Sequence, residues 1–208
     1  LNVPSKVTKV GPYAFKNCTK LMTLNLPDGL LTIGESAFYG SSMQRLTLPD
    51  TVTSIGSYAF KGCSRLLEVK FPANLIKIGD SAFYMCTALS SIDLPDKVTT
   101  IDGYAFKKCT SLVNVNLPDS LTVIGDSAFY QCTGLDEITI PQYVSSIGAY
   151  CFSQDSALKD ITFTGNAPAI SNGAFNKVTA RAYYPGSKSG WTSSVRANYG
   201  GNITWIAR

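Results

Sequence analysis

Histidine is missing from all 208 residues. That single absence removes the Ser-His and Cys-His nucleophilic pairs, imidazole general bases and histidine metal ligands together. Charge is also scarce: only 15% of residues are charged, well below the usual quarter, and the formal net charge of +4 comes from scattered lysines and arginines. No basic block exists that could track a phosphate backbone, so nucleic acid is not an expected partner. No apolar run approaches the roughly 18 to 20 residues of a membrane helix, and direct membrane insertion is not expected. Tryptophan occurs twice, both times after position 190.

What the chain has instead is repetition. Phe15, Phe38, Phe60, Phe83, Phe106, Phe129, Phe152 and Phe175 are spaced by 23 residues, except for a gap of 22 between Phe38 and Phe60. A period in this range is the mark of a solenoid, in which each coil buries its apolar side only against its neighbours. We therefore read residues 1–178 as one array of about eight coils and residues 179–208 as a C-terminal capping segment. The opening Leu1-Asn2-Val3-Pro4 aligns with Leu24-Asn25-Leu26-Pro27, so the first residues lie inside a repeat and further repeats are expected upstream.

One unit reads A-F-x-x-C-x-x-L-x-x-[LIV]-x-[LIVF]-P-x-x-[LV]-x-x-I-G. Segments such as Val69-Lys70-Phe71 and Ile138-Thr139-Ile140 alternate with the period of a strand, which predicts one stacked parallel sheet. Proline follows and ends each strand. The pair Leu30/Ile33 and its equivalents turn the chain back inward. The glycines at 11, 34, 56, 79, 125 and 148 mark a corner suited to positive φ. Ala-Phe-x-x-Cys is expected to form a single helical or 3₁₀ turn with both Phe and Cys inside.

A second rhythm spans two coils. Two residues before each Phe stand Tyr13, Ser36, Tyr58, Ser81, Tyr104, Ser127 and Tyr150, and the residue after it runs Lys16, Tyr39, Lys61, Tyr84, Lys107, Tyr130. Coils about 4.8 Å apart crowd aromatic rings stacked at every level, so each Tyr is expected over a neighbour's Ser or Lys stem on the convex side.

Six cysteines could suggest a disulfide scaffold. Cys18, Cys63, Cys86, Cys109 and Cys132 fall in register, however, with Ser41 or Ser42 and Asp155 at the remaining levels. Parallel Cβ vectors hold such a row too far apart for disulfides, and buried reduced thiols are expected. A collinear row also cannot supply tetrahedral ligands, so no metal and no cofactor is predicted. Gly79-Asp80-Ser81 and Gly125-Asp126-Ser127 recur at the repeat period, with no base to activate the serine, and read as turns. The chain reads as a non-enzyme.

The segments L-x-x-[LIV]-x-L followed at once by Pro, with Ile-Gly at the corner and Ala-Phe-x-x-Cys before the next Leu, resemble the BspA-like leucine-rich repeat family over residues 1–178. The resemblance implies a leucine-rich repeat right-handed β-α superhelix, with a parallel sheet on the concave face and short helical turns on the convex face. It further implies a secreted or bacterial cell-surface module that binds host extracellular-matrix or other cell-surface proteins. The outward strand positions are then the candidate binding residues: Arg45, Glu68, Lys70, Ser91, Asp93, Asn114, Asn116, Glu137, Thr139 and Asp160. The alternative is a structural spacer, or a targeting array within a larger surface protein.

Overall fold

A computed structural model describes all 208 residues. The Ala-Phe-x-x-Cys segment decides how one coil lies on the next. In the coil around Phe83, alternate amides have different destinations. Those of Ala82, Tyr84 and Cys86 bond within the coil, three residues back, to Gly79, Ser81 and Phe83, each at 3.1 Å. Those of Ser81, Phe83 and Met85 bond at 2.8–2.9 Å to Gly103, Ala105 and Lys107 of the next coil. The chain therefore makes three tight turns in succession and no helix, contrary to the sequence expectation. A helix would turn every amide onto its own segment, leaving none to hold the neighbouring coil.

This geometry needs a left-handed residue at the third position of two of the three turns. Those residues lie two before and two after each Phe: Ser81 (φ 52°) and Met85 (φ 61°), or Tyr104 (φ 58°) and Lys108 (φ 61°). The corner glycines, expected there, have ordinary φ. Their role is close approach: a Cβ on Gly56 would lie 2.8 Å from Glu35 N, and one on Gly79 2.5 Å from Ile55 O. Backbone of one coil occupies the space where a side chain on the next would stand.

Two parallel strand ladders form where one sheet was predicted. The first has eight two-residue strands, from Lys9–Val10 through Thr32–Ile33, Ser54–Ile55, Lys77–Ile78, Thr100–Ile101, Val123–Ile124 and Ser146–Ile147 to Ala169–Ile170. It is built from the segment read as merely turning the chain inward. The predicted strands form the second ladder, in three sections: Arg45–Thr47 with Glu68–Lys70, Ser91–Asp93 with Asn114–Asn116, and Glu137–Ile140 with Asp160–Phe163, Thr179–Tyr184 and Asn202–Ala207. At Leu24-Asn25-Leu26 only a bridge from Asn2 to Asn25 is made. Neighbouring coils are thus tied along the first strand ladder and the turn ladder, and within each section along the second strand ladder as well.

Between them runs a core of 53 buried residues. Seven successive Phe pairs, from Phe15–Phe38 to Phe152–Phe175, stack with centroids 5.3–5.8 Å apart and planes within 14°. Rings do stack at every level here, because an offset lets centroids sit farther apart than the coil spacing. The thiols form a second column. Cys63, Cys86, Cys109 and Cys132 each donate to the Phe carbonyl of the preceding coil, 3.2–3.3 Å away. All six cysteines are free, and five are buried. Cys18 departs from the expectation: it lies in the first coil of this chain and is exposed.

Ser41 holds the thiol level of its coil and bonds Cys63 at 3.2 Å. Asp155 holds another. Its Oδ1 accepts the Cys132 amide at 2.8 Å, while Oδ2 is buried without a partner. Burial pushes the Asp155 carboxyl well above its ordinary range, and the Cys132 amide opposes this only in part. Beyond Phe175 the turn ladder continues through Phe175 N to Tyr199 O at 3.2 Å and Lys177 N to Gly200 O at 3.2 Å. There Trp191 and Trp205 lie against Phe163, with centroids 4.9 and 5.6 Å away, and their indole N–H groups bond Gly165 O and Ala197 O.

Two outcomes follow for stability. Phe106→Ala opens a cavity between two stacked rings and should lower the unfolding free energy by about 3 to 5 kcal/mol in urea titration; a loss under about 1 kcal/mol contradicts the packed column. For Asp155, the folded-state pKa lies above the unfolded one, so the unfolded chain binds fewer protons. Stability is then fullest at low pH and falls as pH rises through the unfolded value near 4. Asp155→Cys restores the thiol within reach of Phe129 O. Melting curves should show it more stable than the parent by about 1 to 3 kcal/mol at pH 7, with the difference shrinking toward pH 3.5.

Candidate functional site

Alternation places Leu46, Val69, Ile92 and Ile138 inside and leaves their neighbours on the strands facing out. All ten predicted positions lie on this face. Arg45, Glu68, Lys70, Asp93, Asn114, Asn116, Glu137 and Thr139 are exposed, while Ser91 and Asp160 are half-buried. The register sets Arg45 beside Glu68, Ser91 beside Asn114, Asp93 beside Asn116 and Glu137 beside Asp160. Several of these neighbours are already partnered. Arg45 Nη1 donates to Glu68 Oε2 at 3.0 Å, and Asn116 Nδ2 to Asp93 Oδ1 at 2.6 Å. Exposed pairs of this kind contribute little stability, but they hold the side chains in a defined row.

Where the strands meet the Pro turns, the face opens into a groove of about 1100 Å³. Asp50, Glu68, Asp93, Asp96 and Asp119 line it, against Lys70 and Lys97. Five carboxylates against two ammonium groups give a locally negative trough on a chain of formal charge +4. Asp50, Asp96 and Asp119 directly follow the prolines that end the strands, at a turn position that suits aspartate. Their recurrence at the coil period is what brings them to one rim.

None of the ten candidate positions is aromatic, and the structure adds an aromatic residue to the same face. Thr179–Tyr184 pairs with Asp160–Phe163, so Arg181 stands beside Asp160 and Tyr183 beside Thr162. Arg181 grips Asp160 through two bonds of 2.8 Å. This contact, more than the partial burial that opposes it, holds the Asp160 carboxyl below its ordinary value. The Arg208 guanidinium lies 3.5 Å from the centre of the Tyr183 ring. Arg and Tyr are the residue types that dominate interface energetics. Asp160 and Arg181 are 21 residues apart rather than 23, and that slip conceals the match from a search at the repeat period.

The groups on this face are carboxylates, amides and hydroxyls, with the cationic Arg45, Lys70 and Arg181 among them, in parallel rows. A repeat solenoid of parallel strands with a regular polar face is the class of protein that the geometry defines. Comparison with known proteins narrows that class. Models of the BspA type leucine rich repeat region match residues 1–97 and 77–184 in six copies, and the chain belongs to this family. A leucine-rich repeat protein from Bacteroides ovatus superposes with a TM-score of 0.82 at 28% identity, over 99% of this chain and 54% of that one. One from Eubacterium ventriosum gives 0.71 at 28% identity, over 76% and 43%. A leucine rich cell surface protein from Faecalibacterium prausnitzii gives 0.60 at 26% identity, over 100% and 59%. The chain thus spans about half the length of these solved relatives. No curated protein matches it.

Proposed function

We propose that this array is a non-enzymatic adhesion module of a bacterial cell surface, which binds extracellular proteins of a host or of other cells along its strand face. The observation that carries this reading is the groove between Asp50 and Asp119, an open trough with an excess of carboxylates on a mildly basic chain. It suits basic segments of a partner, which would find an array of rigidly held acceptors rather than one deep pocket. The Arg181–Tyr183–Arg208 cluster at the end of the same face supplies the anchor that the groove lacks. Contacts of this kind are individually weak, and binding strength comes from repeating them over coils and over copies on a surface. Family membership and the cell-surface relative support the location.

The test is a solid-phase assay against a panel of immobilised extracellular-matrix proteins. Asp93→Lys, Asp96→Lys and Asp119→Lys together should weaken binding at least tenfold without lowering the melting temperature by more than a few degrees. Binding of the parent should also fall as salt is raised. Retention of full binding by the triple variant would remove the groove from the interface and favour a spacer role.

A further inference from the structure

The hydrogen-bond ladder that joins the Phe turns is interrupted at one place. Tyr13, Ser36, Tyr58, Ser81, Tyr104 and Ser127, each two residues before a Phe, donate their amides to the next coil at 2.8–2.9 Å. Tyr150 and Gly173 hold the same position and make no such bond. The carbonyl at the level of Tyr150 is that of Asn172. At the level of Gly173 it is Ala197 O, which accepts the indole N–H of Trp205 instead, at 3.0 Å. Both ends of the Asn172–Gly173 peptide unit are therefore without a partner in the protein, at the joint where the last coil meets the cap.

These two residues are also a reactive pair. Asn172 is followed by glycine, as no other asparagine of the chain is, and its side chain is exposed. Gly173 holds a φ of +72°, and a Cβ there would lie 2.6 Å from the Tyr150 ring, which takes the space of a side chain. Glycine thus puts nothing between its own nitrogen and the carboxamide of Asn172. Unlike the corresponding amides from Tyr13 to Ser127, that nitrogen has no hydrogen bond to break before it can attack.

We propose that Asn172 is a self-modification site, where the chain converts a neutral amide to a carboxylate beside the cap. The Gly173 nitrogen forms a bond to Asn172 Cγ. The side-chain nitrogen leaves as ammonia, carrying the proton that the Gly173 amide loses, and a five-membered imide remains. Water then opens the imide. Cleavage between the Gly173 nitrogen and Cγ gives aspartate in an ordinary chain. Cleavage between that nitrogen and the main-chain carbonyl carbon gives isoaspartate, which adds a methylene to the backbone.

The two products differ in consequence. Glu35, Asp80 and Asp126 stand three residues before Phe in alternate coils, and Asn172 is the next member of that row. Asp126 Oδ1 accepts the Ala149 amide at 2.7 Å, so the fold accommodates a carboxylate at this position. Aspartate at 172 leaves the joint as it is. Isoaspartate lengthens the chain just before Phe175, whose amide reaches Tyr199 O at 3.2 Å, and loosens the hold of the cap.

The test holds native protein at pH 8 and 37 °C over days and maps its peptides by mass. Asn172 should convert before any other asparagine, with isoaspartate exceeding aspartate. Its rate should lie within about tenfold of that in the urea-unfolded chain, as expected of a segment that opens at little cost. Asn172→Gln should abolish the event at an unchanged melting temperature, because the longer side chain must close a larger ring. A slower native rate than that, another asparagine reacting first, or aspartate formed without isoaspartate would overturn the proposal. Asn172→Asp should melt with the parent and the isoaspartyl form below it; equal melting of all three would refute the loosening of the joint.

Discussion

Everything in this molecule depends on where alternate amides of the Phe turn point. One closes a tight turn within its coil, and the next reaches across to the following coil. Backbone hydrogen bonds must be satisfied in a buried segment, and here they can be satisfied only if a copy of the same turn lies directly alongside. That requirement fixes the spacing, and the spacing fixes the rest. Phe rings stack with an offset, thiols fall opposite the Phe carbonyls of the preceding coil, and the corner backbone approaches so closely that glycine is used there.

The same constraint explains the surfaces. Because every coil lies in register, an outward position is never a single residue but a row. Rows of short polar side chains make the strand face flat and wettable, and aspartates that only shape turns in one coil become an acidic rim when repeated. On the turn ladder the seven tyrosines alternate between two columns, and lysine fills the gaps in one of them. The cation–π contacts are the visible result. Pairs of coils are thus the unit of surface chemistry, while single coils are the unit of the core.

Much of this was legible before the structure. Phe spacing, strand alternation, the thiol register and the staggering of tyrosine against lysine all follow from period and residue type, and each appears in the fold. The errors have separate causes. Hydrophobic spacing of three between Phe and Cys fits a helix as well as a chain of tight turns, and only inter-coil hydrogen bonding distinguishes them. A signal for the turns was present in Asn17, Gly40 and Gly62, residue types that tolerate a left-handed backbone, but Met85, Lys108 and Gln131 hold the same conformation without advertising it. The second ladder was missed because two residues per coil are too few for a period to show. Arg181 and Tyr183 were missed because the chain reaches their level two residues early. The ten candidate binding residues could be placed on one face from alternation alone, whereas the groove beside them depends on how strands and Pro turns meet in space.

The central claim, that each coil is sealed by the one before it, is tested most directly by counting thiols. Among the six cysteines only Cys18 is exposed in this chain, and burial raises the pKa of the others, Cys109 to about 12 and Cys63 to about 11. A thiolate-selective reagent at pH 8 should therefore modify one cysteine of the native protein within minutes, mapped to Cys18 by peptide mass, and all six only after unfolding. Rapid modification of Cys86, Cys109 or Cys132 in the native protein would contradict the stacked coils described here.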